Sequence, residues 1–326
     1  MVFISKNGLI VLFFITLYQS LCQAQVPSNQ DSVSQTVKPF VPNFREYFPK
    51  SINRKRLNSL VITESALYVG GFSYVGLIWY KDAVWRPLTF FDDTNEWEEV
   101  DKAGHAFTAY HLSERGFYAM RRAGMSKNKA LIYGGTLGLV MLTPVELFDG
   151  FTDDYGFSKG DMLANFAGNA LFVGQEILFD EQIIKLKFSY HFSEYAPYIP
   201  NHLGKTIPQR IFKDYNGHTY WASINIDKAL GGHTRIPKWL SLSLGFGADG
   251  VLYKFLNPYP IYQDKPIPYF PRYKQYYLSL DVDFTKIKTR SPFLKKVFNQ
   301  LNILKIPAPT LEWNKEKGFV AHGFYF

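Results

Sequence analysis

The chain has 326 residues, 47% of them hydrophobic and 17% aromatic, with 36 basic against 28 acidic side chains and a net charge of +8. That length holds one large domain or two, with ample core. The basic excess is scattered among aromatics and short turns, and neither an RNP sequence nor a C2H2 spacing occurs, which sets nucleic-acid binding aside.

At the N-terminus Lys6 precedes the apolar run "GLIVLFFITL", and "CQAQ" supplies the small residues Cys22 and Ala24 around a cleavage point. Residues 1–24 therefore read as a secretory signal peptide, the run being short of a full membrane span. Cleavage after Ala24 removes Cys22, the only cysteine, and with it any disulfide or thiol chemistry. The "QSL" before Cys22 departs from a lipobox, so ordinary cleavage fits better than lipidation. The expectation is an exported protein of the periplasm or outer membrane of a Gram-negative bacterium.

Residues 25–58 are polar and proline-containing and read as a linker. From 59 to 180 the pattern is helical, in four segments: "LVITESALYVGGFSYVGLIWY", "EEVDKAGHAFTAYHLSERGFYAMRRAG", "SKNKALIYGGTLGLVMLTPVELF" and "SKGDMLANFAGNALFVGQEILF". The last two open at Ser126 and Ser158, natural N-caps. Short connections favour antiparallel neighbours. From 181 to 326 the period changes to two. "IIKLKFSYHF", "WLSLSLGFG" and "YYLSLDVDF" each alternate an apolar with a polar face, and "TYWASINID", "PTLEWN" and "FVAHGFYF" do so more weakly. The predicted fold is α+β: an antiparallel bundle of about four apolar helices followed by an antiparallel β-rich region. A one-sided sheet packed on the helices is the expected arrangement, with an outer-membrane barrel as the rival. Trp79, Tyr80, Trp85 and Trp97 suit either an interfacial aromatic belt or ordinary core.

If the helices run up, down, up, down, one end of the bundle gathers the basic runs "NRKR" and "RRAGMSKNK". The other gathers Asp101 and Lys102 at the start of the second helix, Glu146 and Asp149 at the end of the third, and Asp161 at the start of the fourth. His105 lies one turn inside Asp101, and Asn165 one turn inside Asp161, each pair sharing a helix face. Asn169 extends that stripe, and a buried amide needs partners. Two readings follow. In one, the carboxylates favour helix N-termini while Lys102, His105 and Asn165 neutralise and bond across helices. In the other, Asp101, His105, Glu146 and Asp161 hold a divalent metal ion, for which mixed carboxylate and imidazole donors are suited.

The stretches "DKAGHAFTAYHLS" and "TPVELFDGFTDDYGFSKGDMLANFAGNALFVGQ" resemble the YfiM-like family of predicted periplasmic lipoproteins and, more distantly, VanZ-like membrane proteins. The resemblance rests on Asp101, Lys102 and His105, then Glu146 and Asp149, then Asp161, Asn165 and Gly168, over roughly residues 90 to 180. It implies an envelope protein and supplies no reaction.

Decoys are few. "GFGADG" fits G-x-G-x-x-G at Gly245, Gly247 and Gly250, yet proline breaks the chain beyond it and no helix follows to hold a pyrophosphate. His191, His202, His218, His233 and His322 stand singly and read as surface residues. The leading expectation is a non-catalytic exported envelope protein with a structural or ligand-binding polar cluster. The alternatives are a metal-dependent hydrolase of a phosphate-bearing or lipid-linked envelope substrate, and an outer-membrane barrel component. The partners expected are membrane lipid or envelope components.

Overall fold

The structure, a computed structural model, describes residues 48–49, 51–79, 83–153 and 156–326. The signal segment with Cys22, most of the linker and Tyr80 lie outside the described residues. The fold is α+β: helices first, then an antiparallel sheet.

Helix α1 (Arg54–Trp79) begins inside the expected linker. It is followed by the short strand β1 (Phe90–Phe91), a 3-10 turn at Glu96–Glu99, and α2 (Val100–Arg122). Asp101 in the first turn of α2 and Arg121 and Arg122 in its last suit the helix dipole. The expected third helix is two, α3 (Lys127–Tyr133) and α4 (Leu137–Gly150). The cause is a close crossing: Gly134 lies on Gly116 of α2, where a β-carbon on either would overlap the other's backbone. The stretch Lys127–Gly150 is nonetheless long and apolar enough, by length and composition alone, to cross a membrane. Strand β2 (Phe157–Ser158) pairs with β1, and α5 (Lys159–Phe179) starts at Ser158, whose hydroxyl accepts from the Asp161 amide at 2.9 Å. The bundle does alternate in direction. Asn53 N–H meets the Ala123 carbonyl at 2.9 Å, and Arg56 reaches that of Arg122, so both basic runs share one end.

The second half is a six-stranded antiparallel meander. Its strands are β3 (Ile184–Tyr190), β4 (His218–Asn225), β5 (Leu240–Asp249), β8 (Tyr273–Val282), β9 (Ala308–Asn314) and β10 (Gly318–Tyr325), side by side in chain order. Short helices α6 (Pro200–Leu203), α7 (Ile207–Lys213) and α8 (Ile226–Ala229), a small hairpin of β6 (Ile261–Tyr262) and β7 (Lys265–Pro266), and α9 (Pro292–Leu301) occupy the connections. No periodicity signalled α9, because "PFLKKVFNQL" is short and sits between strands.

The register reveals an inverted sheet. One face carries Lys185, Ser223, Ser243, Ser279, Thr310 and His322 in a single cross-strand row. These polar positions, with Lys187, Ser189, Thr219, Asn225, Ser241, Asp281, Glu312 and Asn314, are mostly the buried ones. The sheet curls around them: the Tyr325 hydroxyl of β10 bonds Tyr277 of β8 at 2.7 Å and Thr219 of β4 at 3.1 Å. The apolar face looks outward. Helix α2 covers it at β3, β4 and the adjoining end of β5, where Phe107 packs on Phe188 and Tyr220 and His111 bonds the Leu186 carbonyl at 2.8 Å. Across β5, β8 and β9 the leucines 242, 244, 278, 280 and 311 stay exposed. The expected sheet packed on the helices is met over part of its apolar face only. Most of the polar side chains bond one another inside the curl, Ser243 Oγ and Asp281 Oδ1 being left without a hydrogen bond among the described residues, and the bundle is too narrow to cover six strands.

Candidate functional site

The buried end of the bundle is assembled from three helices. α2 brings Asp101, Lys102 and His105, α4 brings Glu146, and α5 brings Asp161 and Asn165. The approach is close because Gly168 of α5 lies on the backbone of Ala106 in α2. His105 is at the centre, 1% exposed. Its Nε2 lies 3.8 Å from Asp101 Oδ2 and 3.7 Å from Asp161 Oδ2, and its Nδ1 lies 3.7 Å from Glu146 Oε1. A direct bond joins Nδ1 to Asn165 Oδ1 at 3.0 Å. An Nδ1–H donating to that carbonyl oxygen leaves the Nε2 lone pair facing the two aspartates.

The surroundings add Asp93, Tyr215 and Tyr220. Lys102 Nζ donates to Asp93 Oδ2 at 2.7 Å and stands 3.6 Å from Asp161 Oδ1. Ser158 also donates to Asp93 at 2.7 Å. The Tyr215 hydroxyl, from the turn before β4, donates to Asp101 Oδ1 at 2.7 Å, and a β-carbon on Gly104 would press on the Tyr220 hydroxyl at 3.0 Å. Two buried atoms of the cluster have no hydrogen-bond partner among the described residues: Asp161 Oδ1 and Asn165 Nδ2.

Charge is unevenly distributed here. Burial alone would push the His105 pKa down, but Asp161, Glu146, Asp101 and the Asn165 oxygen outweigh it and hold it at about 9. Burial pushes Asp161 up; the pull of His105 and Lys102 opposes this, Asp101 and Asp93 add to it, and the carboxyl comes to about 7. Without another cation the cluster balances its acids with protons. Asp101, His105 and Asp161 also present one donor atom each within 4.8 Å of one another. Nitrogen and oxygen donors around a tetrahedral ion with bonds of roughly 2.0–2.2 Å stand roughly 3.3–3.6 Å apart, slightly closer than the 3.7 and 3.8 Å found at Nε2.

Residues 89–175 match the family described as predicted periplasmic lipoprotein (DUF2279). The matched stretch contains Asp93, Asp101, Lys102, His105, Glu146, Asp161 and Asn165, whereas Tyr215 and Tyr220 lie beyond it. The match supports an exported, uncharacterised domain of the periplasm and cell envelope. No curated protein and no solved structure matches the chain.

Of the expected site residues, Asp149 is the one not brought onto His105. It stands at the end of α4, its backbone carbonyl taking the Thr152 hydroxyl at 3.0 Å. Asn169, one turn further in, serves another purpose: its Nδ2 donates to Ser113 Oγ at 2.7 Å and to the Gly135 carbonyl. Sequence reasoning missed Asp93, because it lies in a loop with no periodicity, and Tyr215, because it comes from the other half of the chain. Of the two readings of the tryptophans, Trp97 takes the core one, buried against Tyr215 with ring centroids 5.0 Å apart, while Trp85 is exposed. One further expectation is corrected. His218 is buried, its Nε2 on the Ile211 carbonyl at 2.8 Å, because the turn before β4 folds beneath α2. Gly245 and Gly247 lie within β5, where Trp221 leaves no room for a β-carbon on Gly245, and no helix follows.

Proposed function

We propose that this is a non-catalytic exported envelope protein in which a divalent first-row cation, bound by His105 Nε2, Asp101 and Asp161, clasps α2 and α5 together, with Glu146 of α4 on the Nδ1 side of the same ring. One observation carries the reading: a buried imidazole nitrogen faces two carboxylates across gaps of 3.7 and 3.8 Å, beyond hydrogen-bond distance and a few tenths of an ångström wider than ligands around an ion stand. Asp161 Oδ1, buried and without a hydrogen bond among the described residues, leaves that carboxylate free to turn toward an ion, with Lys102 its nearest cation at 3.6 Å. Mixed carboxylate and imidazole donors suit manganese, iron or zinc. Asn165 then fixes the imidazole, and Lys102 with Asp93 offsets the remaining charge. The finer likeness to YfiM-like and VanZ-like proteins belongs to this reading, carried by the same positions.

A metal-dependent hydrolase acting on a phosphate-bearing envelope substrate is a second reading. It is favoured by the partly exposed Asp101 and Lys102 at the rim of the cluster.

The test is metal content of the purified mature protein, wild type beside His105→Ala and Asp161→Asn, after equilibration with zinc or manganese and with thermal melting on the same samples. The expected result is a near-stoichiometric ion in the wild type, lost in both variants while helical circular dichroism persists. A wild type that takes up no ion and melts identically with and without chelator overturns the clasp. Metal-dependent phosphate release that Asp161→Asn abolishes favours the hydrolase.

A further inference from the structure

A second feature of the molecule is independent of the ion cluster: the outward face of the curled sheet. Its register places one aromatic row across all six strands, Phe188, Tyr220, Phe246, Tyr276, Trp313 and Phe319. Phe246 packs on Tyr276 and Tyr276 on Trp313, with ring centroids 5.6 and 5.7 Å apart. The next row along the strands is Leu186, Ala222, Leu244, Leu278, Leu311 and Ala321. Ile184, Ile224, Leu242 and Leu280 follow, then the Leu240–Val282 pair. From the aromatic row to that pair none of the outward positions named is charged. The span from Phe246 to Leu240 is roughly 20 Å at strand rise.

The opposite border differs. There the chain leaves β8 through a basic stretch with Lys286, Lys288 and Arg290 and enters α9, which carries Lys295 and Lys296 beside the exposed Phe293, Leu294 and Leu301. A short helix that is basic on one side and apolar on the other is the composition of a segment lying in a membrane interface beside anionic headgroups. The inner face completes the pattern. It holds a buried Lys187–Asp281 ion pair at 2.7 Å, so the polar side chains of the sheet bond mainly among themselves and the apolar side is left to its environment. The outer edge of β3 is also met, the Phe188 N–H bonding the Ile303 carbonyl and the Lys305 N–H that of Phe188.

We infer that the outward face of β5, β8, β9 and β10, beyond the strip that α2 covers, is a hydrocarbon-facing surface, seated in a phospholipid bilayer with the exposed Tyr276, Trp313 and Phe319 at one interface and α9 at the other. Polar inside, apolar outside and bordered by aromatics is the arrangement of strands in lipid rather than water. Of the basic side chains around α9, Lys286 is paired with Glu181, and the others add positive charge on the side of an anionic headgroup layer. Asp101, bonded to Tyr215 ahead of β4, lies beyond the aromatic row, so the ion cluster is outside the hydrocarbon layer.

The test uses the full mature chain in vesicles of phosphatidylethanolamine and phosphatidylglycerol. Single-cysteine variants Leu244→Cys, Leu278→Cys and Leu311→Cys, each at an already exposed position, and Glu316→Cys in the β9–β10 turn carry an environment-sensitive fluorophore. The expected result is several-fold stronger quenching by acyl-chain doxyl groups at 244, 278 and 311 than at 316, and the reverse with aqueous iodide. Iodide quenching as strong at 278 as at 316 overturns the inference. So does shielding from both quenchers together with disulfide cross-linking between copies at 278, which would make the face a contact between two chains. Independently of any variant, wild-type protein must float with the vesicles after an alkaline carbonate wash; its release as a monodisperse soluble protein overturns the inference equally.

Discussion

Gly168 of α5 rests on the backbone of Ala106 in α2, so closely that a β-carbon would overlap the Ala106 carbonyl oxygen. This contact sets how near Asp161 and Asn165 come to His105, which sits one residue before Ala106. Gly168→Ala is expected to spread the two helices and to cost about 1–3 kcal/mol as an overpacked site. At Gly174, two turns further along α5, an added β-carbon would meet nothing within 4 Å, and Gly174→Ala is expected to be neutral or stabilising by up to about 1 kcal/mol. Chemical denaturation of both variants in detergent is the check; equal effects would show that the close approach does not govern the packing.

The protonation of His105 makes stability depend on pH in the metal-free protein. Its pKa is raised from 6.5 to about 9, so its contribution is complete below 6.5 and is lost as pH rises through 9. The shift corresponds to about 3 kcal/mol. Asp161, raised from 3.8 to about 7, acts in the same direction: its contribution is present below 3.8 and lost as pH rises through 7. Melting temperature in the presence of chelator should therefore fall across the neutral and mildly alkaline range, and His105→Gln should flatten the upper part of that fall. Added divalent ion should restore more stability the higher the pH, because protons compete for the same donors. A chelated wild type whose melting is flat up to pH 9 would contradict the assignment of the proton.

Asn169 is expected to brace the break between α3 and α4, since it donates to both Ser113 and the Gly135 carbonyl. Ser113 in turn accepts from the Gly138 N–H at 3.2 Å. Asn169→Leu would leave these groups buried without their donor, at a cost of about 1–3 kcal/mol. Hydrogen exchange should quicken at residues 134–138 specifically. Uniform loss of protection across the bundle would instead indicate a general packing defect.

How much of the fold and site is legible in the sequence depends on periodicity. The i, i+4 spacing of Asp101 with His105 and of Asp161 with Asn165, combined with alternating helix direction, is enough to bring one end of the bundle together. The period-two runs locate all six long strands. What a period cannot carry is which face is inside. Leu242, Leu244 and Leu280 alternate with Ser241, Ser243 and Asp281 whether the leucines meet protein or lipid, and only the pairing of Lys187 with Asp281 across the curl decides it. Asp93 and Tyr215 were invisible for a related reason: each contributes a single polar group from a loop, and loops leave no repeating signal.

That buried pair permits the sharpest separation of the two sides of the sheet. Lys187 Nζ lies 2.7 Å from Asp281 Oδ2, both side chains fully buried, and it also donates to the Val282 carbonyl at 2.8 Å. Asp281 Oδ2 takes the Ser223 hydroxyl at 2.6 Å as well. Lys187→Met leaves the buried Asp281 carboxylate with the Ser223 hydroxyl as its donor and the charge of Lys305 nearby, and Asp281→Leu leaves the Lys187 ammonium on a carbonyl with Asp283 nearby. Each single change should cost about 3–5 kcal/mol. The double variant removes both charges from an interior with little water to solvate either, so it should be more stable than either single variant. Guanidinium unfolding in detergent, followed by tryptophan fluorescence, gives the three values. A double variant as unstable as the sum of the singles would mean that the two charges do not rely on each other, and that water reaches the inside of the curl.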